Sequence, residues 1–246
     1  MDSKQMIYGT RAVIEAIRAG REIETILIQS GVKNDLINEL IGLARKGSLP
    51  LSYVPEQKLK SLSTKNHQGV IAMLSSVPFD SLEDIVHKVF SEGKEPFILI
   101  LDRVTDVRNF GAIVRTAETA GIHAIVIPEK GSAPISADAM KTSAGALNFV
   151  PVCRSKNLKQ TIRELKNSGV KAVACTEHTS EILFKTDLTG PLALIVGSEE
   201  DGVSAEILKE ADHLGKIPMA GKIGSLNVSV SAGIALYEAV RQRGVY

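Results

Sequence analysis

The chain has 246 residues, 44% of them hydrophobic and 23% charged, with a formal net charge of +1. That is enough for one large core or two modest ones, and nothing in the composition marks a disordered chain. The near-neutral total leaves a nucleic-acid partner open, because a local basic face can hide inside a balanced sum. No basic-then-apolar leader opens the sequence, and the longest apolar runs, FILIL and LALIV, fall far short of the roughly 18 residues of a membrane helix. A cytoplasmic protein without a membrane partner is expected. Cys153 and Cys175 form no CxxC pair and cannot staple a chain of this size, so both are read as reduced core thiols.

In chain order, the first block alternates: helix-like TRAVIEAIRAG, strand-like ETILIQ, helix-like NDLINELIGLARKG, strand-like LSYVP, a short KLKSLS and strand-like GVIAML. This pattern predicts a small α/β domain over residues 1–76, which carries 10 Lys/Arg against 7 Asp/Glu. Arg11, Arg18, Arg21, Lys58, Lys60 and Lys65 are its candidate phosphate contacts, most of them readable equally as solvated surface charge. Residues 77–95 read as an acidic interdomain linker with Pro near each end and a short amphipathic stretch from Leu82 to Phe90. From 96 to 246, strands at 97–102, 123–127, 171–176 and 192–196 alternate with helical stretches near 110–120, 157–168 and 204–211. A second α/β domain with a mainly parallel sheet follows.

Three segments of the second domain share one grammar, a short apolar strand or loop breaking into glycine and polar residues before a helix: Phe97 to Gly121, Leu192 to Ala211, and Ile217 to Arg243. Such loops sit where ligands collect, outside the carboxyl ends of a parallel sheet. Gly221 and Gly224 suggest close approach of the main chain to a ligand. GSEEDG at 197–202 is followed by Val203 and Ser204 rather than the Lys and hydroxyl residue of a phosphate loop, and no GxGxxG follows any strand. A nucleotide triphosphatase and an ordinary dinucleotide enzyme are therefore disfavoured. No His, Cys and Asp residues show metal-ligand spacing, so no metal is expected.

Taken together, Asn109 to Ala117 (NFGAIVRTA), Gly197 to Gly202, and Ile217-Pro218-Met219 through Ser225-Leu226-Asn227-Val228-Ser229 resemble the three motifs of the SpoU (TrmH) family of ribose 2′-O-methyltransferases, in the right order and spacing. Tyr8-Gly9 and His67-Gln68-Gly69-Val70 are similar to the substrate-binding domain that precedes the catalytic domain in the branch acting on a guanosine of 23S rRNA. The resemblance implies a deep trefoil knot at the carboxyl terminus, a homodimer, and S-adenosylmethionine as cofactor. It places the cofactor against Gly197, Ile217 and Leu226, with Met219 and Ser225 nearby and Thr176 as a further candidate. Adenine needs apolar walls with a few directed backbone hydrogen bonds, which Ile217 and Leu226 in a loop could supply; without the motif they read as ordinary core residues.

Arg115 is the expected catalytic residue, since removing the 2′-hydroxyl proton needs help and the motifs offer no His or Lys. The resemblance implies a role as base, or assistance through an RNA phosphate; a guanidinium that positions phosphate and hydroxyl in its charged form is the physical rival. Its structural alternative is a surface pair with Glu118. Asn109 is read as a helix N-cap or a substrate contact, Glu199 as an orienting group, and Asn227 as reaching the active site from the third motif. One of Asn227 and Ser229 should cap the last helix. The chain is thus expected to methylate a ribose 2′-hydroxyl in RNA, with a guanosine of 23S rRNA as first choice. A tRNA enzyme and a non-catalytic ribosome-assembly factor are the alternatives.

Overall fold

The computed structural model describes residues 6–244, which fall into two compact units. The first comprises the chain up to Pro78 together with Pro134–Ala137, and the second Phe79–Ala133 with the chain from Asp138 onward.

The first unit is a four-stranded sheet with helices. Strands β1 (Met6–Tyr8), β2 (Ile23–Gln29), β3 (Leu51–Val54) and β4 (Val70–Leu74) lie in the order β1-β4-β2-β3. The β1–β4 and β4–β2 pairs are antiparallel and β2–β3 is parallel. Helices α1 (Thr10–Arg18) and α2 (Asp35–Lys46) bury Val13, Ile14, Ile37 and Leu40 against Ile26, Ile28, Val70 and Ala72 of the strands. Buried Thr10, Val13 and Ile14 of α1 and Ile37, Leu40 and Ala44 of α2 fall three and four apart, the stripe an amphipathic helix turns toward a sheet. Asn34 starts α2 by accepting the Ile37 N–H at 2.9 Å. A short α3 (Glu56–Leu62) precedes β4.

The second unit carries a six-stranded, wholly parallel sheet: β5 (Phe97–Leu101), β6 (Ala124–Pro128), β7 (Val152–Ser155), β8 (Lys171–Cys175), β9 (Leu192–Val196) and β10 (His213–Gly215), ordered β10-β8-β9-β5-β6-β7. FILIL and LALIV are buried at every residue, as strands covered on both faces must be. The helices of this part of the chain are α4 (Leu82–Ser91), which precedes β5, then α5 (Val107–Thr119), α6 (Ala137–Thr142), α7 (Leu158–Asn167), α8 (Ala205–Leu208) and the closing α9 (Val228–Arg243). From β5 the chain runs to β6 on one side, and β9 lies on the other, so the carboxyl ends of β5 and β9 flank a point where the strand order diverges. Crevices at such points bind ligands.

The acidic stretch read as a linker is built into the second unit. Ser81 caps α4 by accepting the Asp84 N–H, and Val86 joins the core of Ile98, Ile100, Val126 and Ile162. Its charged face is solvent-facing and its apolar face is structural, a division that net charge alone conceals. Four further elements escaped the sequence pattern: β1, β7, β10 and α6, none longer than six residues.

Candidate cofactor cavity and active site

Three loops at the carboxyl edge of the second sheet enclose a cavity of about 480 Å³. Thr176 follows β8, Gly197 follows β9, and Ile217, Met219, Ser225 and Leu226 belong to the loop between β10 and α9; all six line the cavity. Val196 and Val228 add apolar wall, and Glu199 stands at its edge with Ser198.

Gly197 is required by the protein's own packing. A Cβ there would lie 2.0 Å from the Gly202 carbonyl carbon and 2.1 Å from the Val203 nitrogen, so only glycine lets the 197–203 loop fold back on its strand. Ser198 and Gly202 then exchange backbone hydrogen bonds of 3.1 Å. Arg103, itself at φ 59, braces this loop from the end of β5, donating to Asp201 at 3.1 Å and to the Gly202 carbonyl at 3.2 Å.

The opposite wall is built differently. Among the described residues, none from Ile217 to Leu226 makes a hydrogen bond within the chain. Leu226 and Met219 are exposed, at 37% and 41%, and Ile217 is half-buried, so these are not core residues. Unpaired N–H and C=O groups beside exposed aliphatic side chains meet the needs of a purine: flat apolar contact plus edge hydrogen bonds. Cys175 also lines the cavity, but burial pushes its thiol up to about 11 and keeps it protonated, unfit as a nucleophile; burial raises Cys153 to about 12. Both are free thiols.

At the rim, Asn227 ties the three sequence segments together. Its Nδ2 donates to Asn109 Oδ1 at 3.0 Å and to Glu199 Oε1 at 2.5 Å. Its Oδ1 caps α9 by accepting the Ser229 N–H at 2.9 Å, and it also takes the Ser229 hydroxyl. With two donors and two acceptors used, the amide is held in one orientation. Glu199 is exposed and accepts from the Asn227 amide. Asn109 is not the cap of α5. Asp106 is, accepting from Arg108 and Asn109 N–H at 2.9 Å each, which leaves the Asn109 side chain free to reach Asn227.

Arg115 stands apart. It is exposed on α5, outside the cavity lining, and among the described residues it pairs with no carboxylate, Glu118 included. One turn on, Thr119 shares a 3.2 Å hydrogen bond with Tyr237 of α9, and Tyr237 and Val230 expose about half their surface along that helix. Gly111 was not singled out by the sequence reading beyond its place in the motif. A Cβ there would meet Thr142 Oγ1 at 2.0 Å, so α5 rests directly on the end of α6. Among the described residues, no group of three or more His, Cys, Asp or Glu side chains could hold a metal ion and no helix is long and apolar enough to cross a membrane.

A parallel α/β sheet with a cavity at its diverging strand ends is the architecture of a ligand-binding α/β domain. Residues 96–237 match the SpoU rRNA Methylase family, and residues 6–79 match the family described as RNA 2′-O ribose methyltransferase substrate binding. The chain belongs to the SpoU methyltransferase family. It is 36% identical over 237 residues to YacO of Bacillus subtilis, a protein named for the TrmH family of tRNA/rRNA methyltransferases, covering 96% of this chain and 95% of that one. The SpoU methyltransferase AviRb of Streptomyces viridochromogenes, solved with AdoMet, superposes with a TM-score of 0.61 at 26% identity, over 98% of this chain and 91% of that one. An AdoMet-bound rRNA methyltransferase of Sinorhizobium meliloti gives 0.60 at 27%, over 96% and 87%. S-adenosylmethionine is therefore the cofactor, and RNA ribose 2′-O-methylation the activity of the family.

Proposed function

We propose that this protein methylates the 2′-hydroxyl of a guanosine in 23S rRNA, acting as a cytoplasmic homodimer with a knotted carboxyl-terminal segment. The observation that carries the site assignment is the Asn227 bridge, which joins residues 118 and 28 positions apart in sequence at the mouth of the cavity. The rRNA reading is supported by the match of residues 96–237 to the SpoU rRNA Methylase family, and RNA as the substrate by the substrate-binding family matched by the first unit.

When bound, the cofactor supplies an electrophilic sulfonium methyl group. Ile217, Met219 and Leu226 would hold its adenosine through apolar contact, while Thr176, Gly197 and Ser225 offer polar atoms at the cavity wall. Glu199 and Asn109, fixed by Asn227, orient the ribose at the rim. Arg115 acts on the hydroxyl or its neighbouring phosphate in the charged form: a guanidinium holds its proton too firmly to serve as a ready base, whereas its planar fork suits two phosphate oxygens. Since Arg115 does not line its own chain's cavity, pairing of two copies across the exposed α5–α9 surface is the arrangement that brings it to a reaction centre. Val230 and Tyr237 are the apolar residues such pairing would cover.

Arg115→Ala should leave S-adenosylmethionine affinity within about twofold and lower methyl transfer about a hundredfold, with Arg115→Lys failing to restore it. Near-wild-type turnover of Arg115→Ala would remove the residue from the mechanism. Mapping ribose methylation across 23S rRNA and tRNA with and without the gene tests the substrate; a missing mark in tRNA alone would replace the rRNA assignment with the tRNA one.

A further inference from the structure

The first unit holds a second cavity, of about 630 Å³, where two short sequence signals meet. Gly9 N–H donates to the Val70 carbonyl at 3.0 Å, and the Gln68 side-chain oxygen lies 3.4 Å from where a Cβ on Gly9 would stand. Gln68 and Gly69 both take left-handed backbone, φ 48 and 80, in a turn closed by the Val70 N–H to His67 carbonyl bond of 2.8 Å. His67 Nδ1 accepts the Gly69 N–H, which leaves Nε2 as the ring's remaining polar atom.

Every lining residue except Gly69 carries a polar or charged side chain, with the carbon stems of Lys60 and Lys65 and the Thr64 methyl between the polar tips. The lining offers three side-chain amides, Gln29, Asn66 and Gln68, and two cations of unequal standing. Lys60 is neutralised by Glu56 at 2.6 Å. Lys65 pairs with no carboxylate among the described residues and rests 5.1 Å from the centre of the Tyr8 ring. An amide presents a donor and an acceptor side by side, the pattern that matches a base edge. One uncompensated cation matches one phosphate. In an A-form duplex those edges lie in grooves that side chains read poorly, so a base that reaches such a cavity must be unpaired.

We propose that this cavity receives one unpaired nucleotide of the RNA substrate, its base met by the amides and its phosphate by Lys65. The proposal rests on the reading of the protein as an RNA methyltransferase and assigns part of its substrate recognition to a defined pocket.

The full chain is titrated, without cofactor, against a labelled single-stranded RNA and a blunt RNA duplex with the same number of phosphates. Wild type should prefer the single strand by about tenfold. Gln68→Gly keeps the left-handed turn, deletes the amide and should bring that preference close to one; Gln29→Ala provides a second amide deletion should the turn loosen. Lys65→Ala should weaken the single strand more than the duplex and reduce the salt dependence of single-strand binding by about one phosphate contact. A wild type without single-strand preference, or a preference that survives both amide deletions in folded protein, would overturn the proposal. Because the readout is binding, loss of the methylation reading would show separately, as intact single-strand preference with no methyl transfer.

Discussion

The two loops that face each other across the candidate cofactor cavity place glycine under opposite constraints. The 197–203 loop is finished before any ligand arrives: Ser198 and Gly202 pair through their backbones, Asp201 N–H reaches Ser198 Oγ at 3.1 Å, and Ser204 N–H is anchored on the buried Asp102 at 2.7 Å. Its Gly197 is squeezed between strand and returning loop. The 217–226 loop has no such internal bonds, and a Cβ on Gly221 or Gly224 would meet nothing within 4 Å. One wall is closed by its own hydrogen bonds, and the other leaves its backbone groups open. Gly197 thus answers to packing within the chain, whereas nothing in the chain crowds Gly221 or Gly224.

That contrast breaks most visibly at Gly197. Gly197→Val should cost at least about 3 kcal/mol, because the atoms in the way are backbone and cannot rotate aside. Thermal unfolding of the purified variant checks this. A fully stable variant with weakened S-adenosylmethionine affinity would instead make Gly197 a ligand-contact position. Next comes Arg103→Ala, which removes the brace from the same loop. We expect a loss of about 1–2 kcal/mol, with weaker cofactor binding as a secondary effect, since hydrogen bonds to Asp201 and the Gly202 carbonyl go together. Unchanged unfolding would show that the loop closes without it.

The sequence made the long apolar strands and periodic helices legible, and it singled out the loops that build the cavity. What it obscured has physical causes. β10 is His213–Gly215 and β7 is Val152–Ser155, too short for alternation to rise above noise. Asp106 and Asn109 are both good caps, and choosing between them required knowing that α5 begins at Val107. The helix of the acidic stretch carries only Val86 and Val89 as buried residues, a stripe that charged neighbours dilute. Gly111 and Gly197 stood inside recognised motifs, yet the partners that demand glycine, Thr142 and Gly202–Val203, come from elsewhere in the chain or from the loop's own return. Close approaches of that kind have no local sequence signature.

On the open wall, effects should appear in binding before they appear in stability. Leu226→Ala should raise the S-adenosylmethionine dissociation constant about tenfold, as expected for losing part of one aliphatic contact with the adenosine. It should leave the cofactor-free unfolding temperature nearly unchanged, because Leu226 is already 37% exposed. Isothermal titration paired with thermal unfolding separates the two. A Leu226→Ala protein that is destabilised without cofactor would mean that this loop, too, is scaffold.

The smallest expected effect separates the two glycines of the open wall from each other. Gly224 lines the cavity and Gly221 does not, while neither has an atom near its missing Cβ. Gly224→Ala and Gly221→Ala should therefore both unfold within about 0.5 kcal/mol of wild type in the absence of cofactor, the range of an uncrowded surface change. Addition of S-adenosylmethionine should then divide them. A ligand that binds only the folded state raises its stability by RT ln(1 + [L]/Kd), so a Cβ that intrudes on the bound cofactor shrinks that increment by the logarithm of its affinity loss. Gly221→Ala should keep the full cofactor-induced rise in unfolding temperature, and Gly224→Ala should show a smaller one. Equal rises in both variants would place the cofactor away from the Gly224 backbone and return that glycine to the role of an unconstrained loop residue.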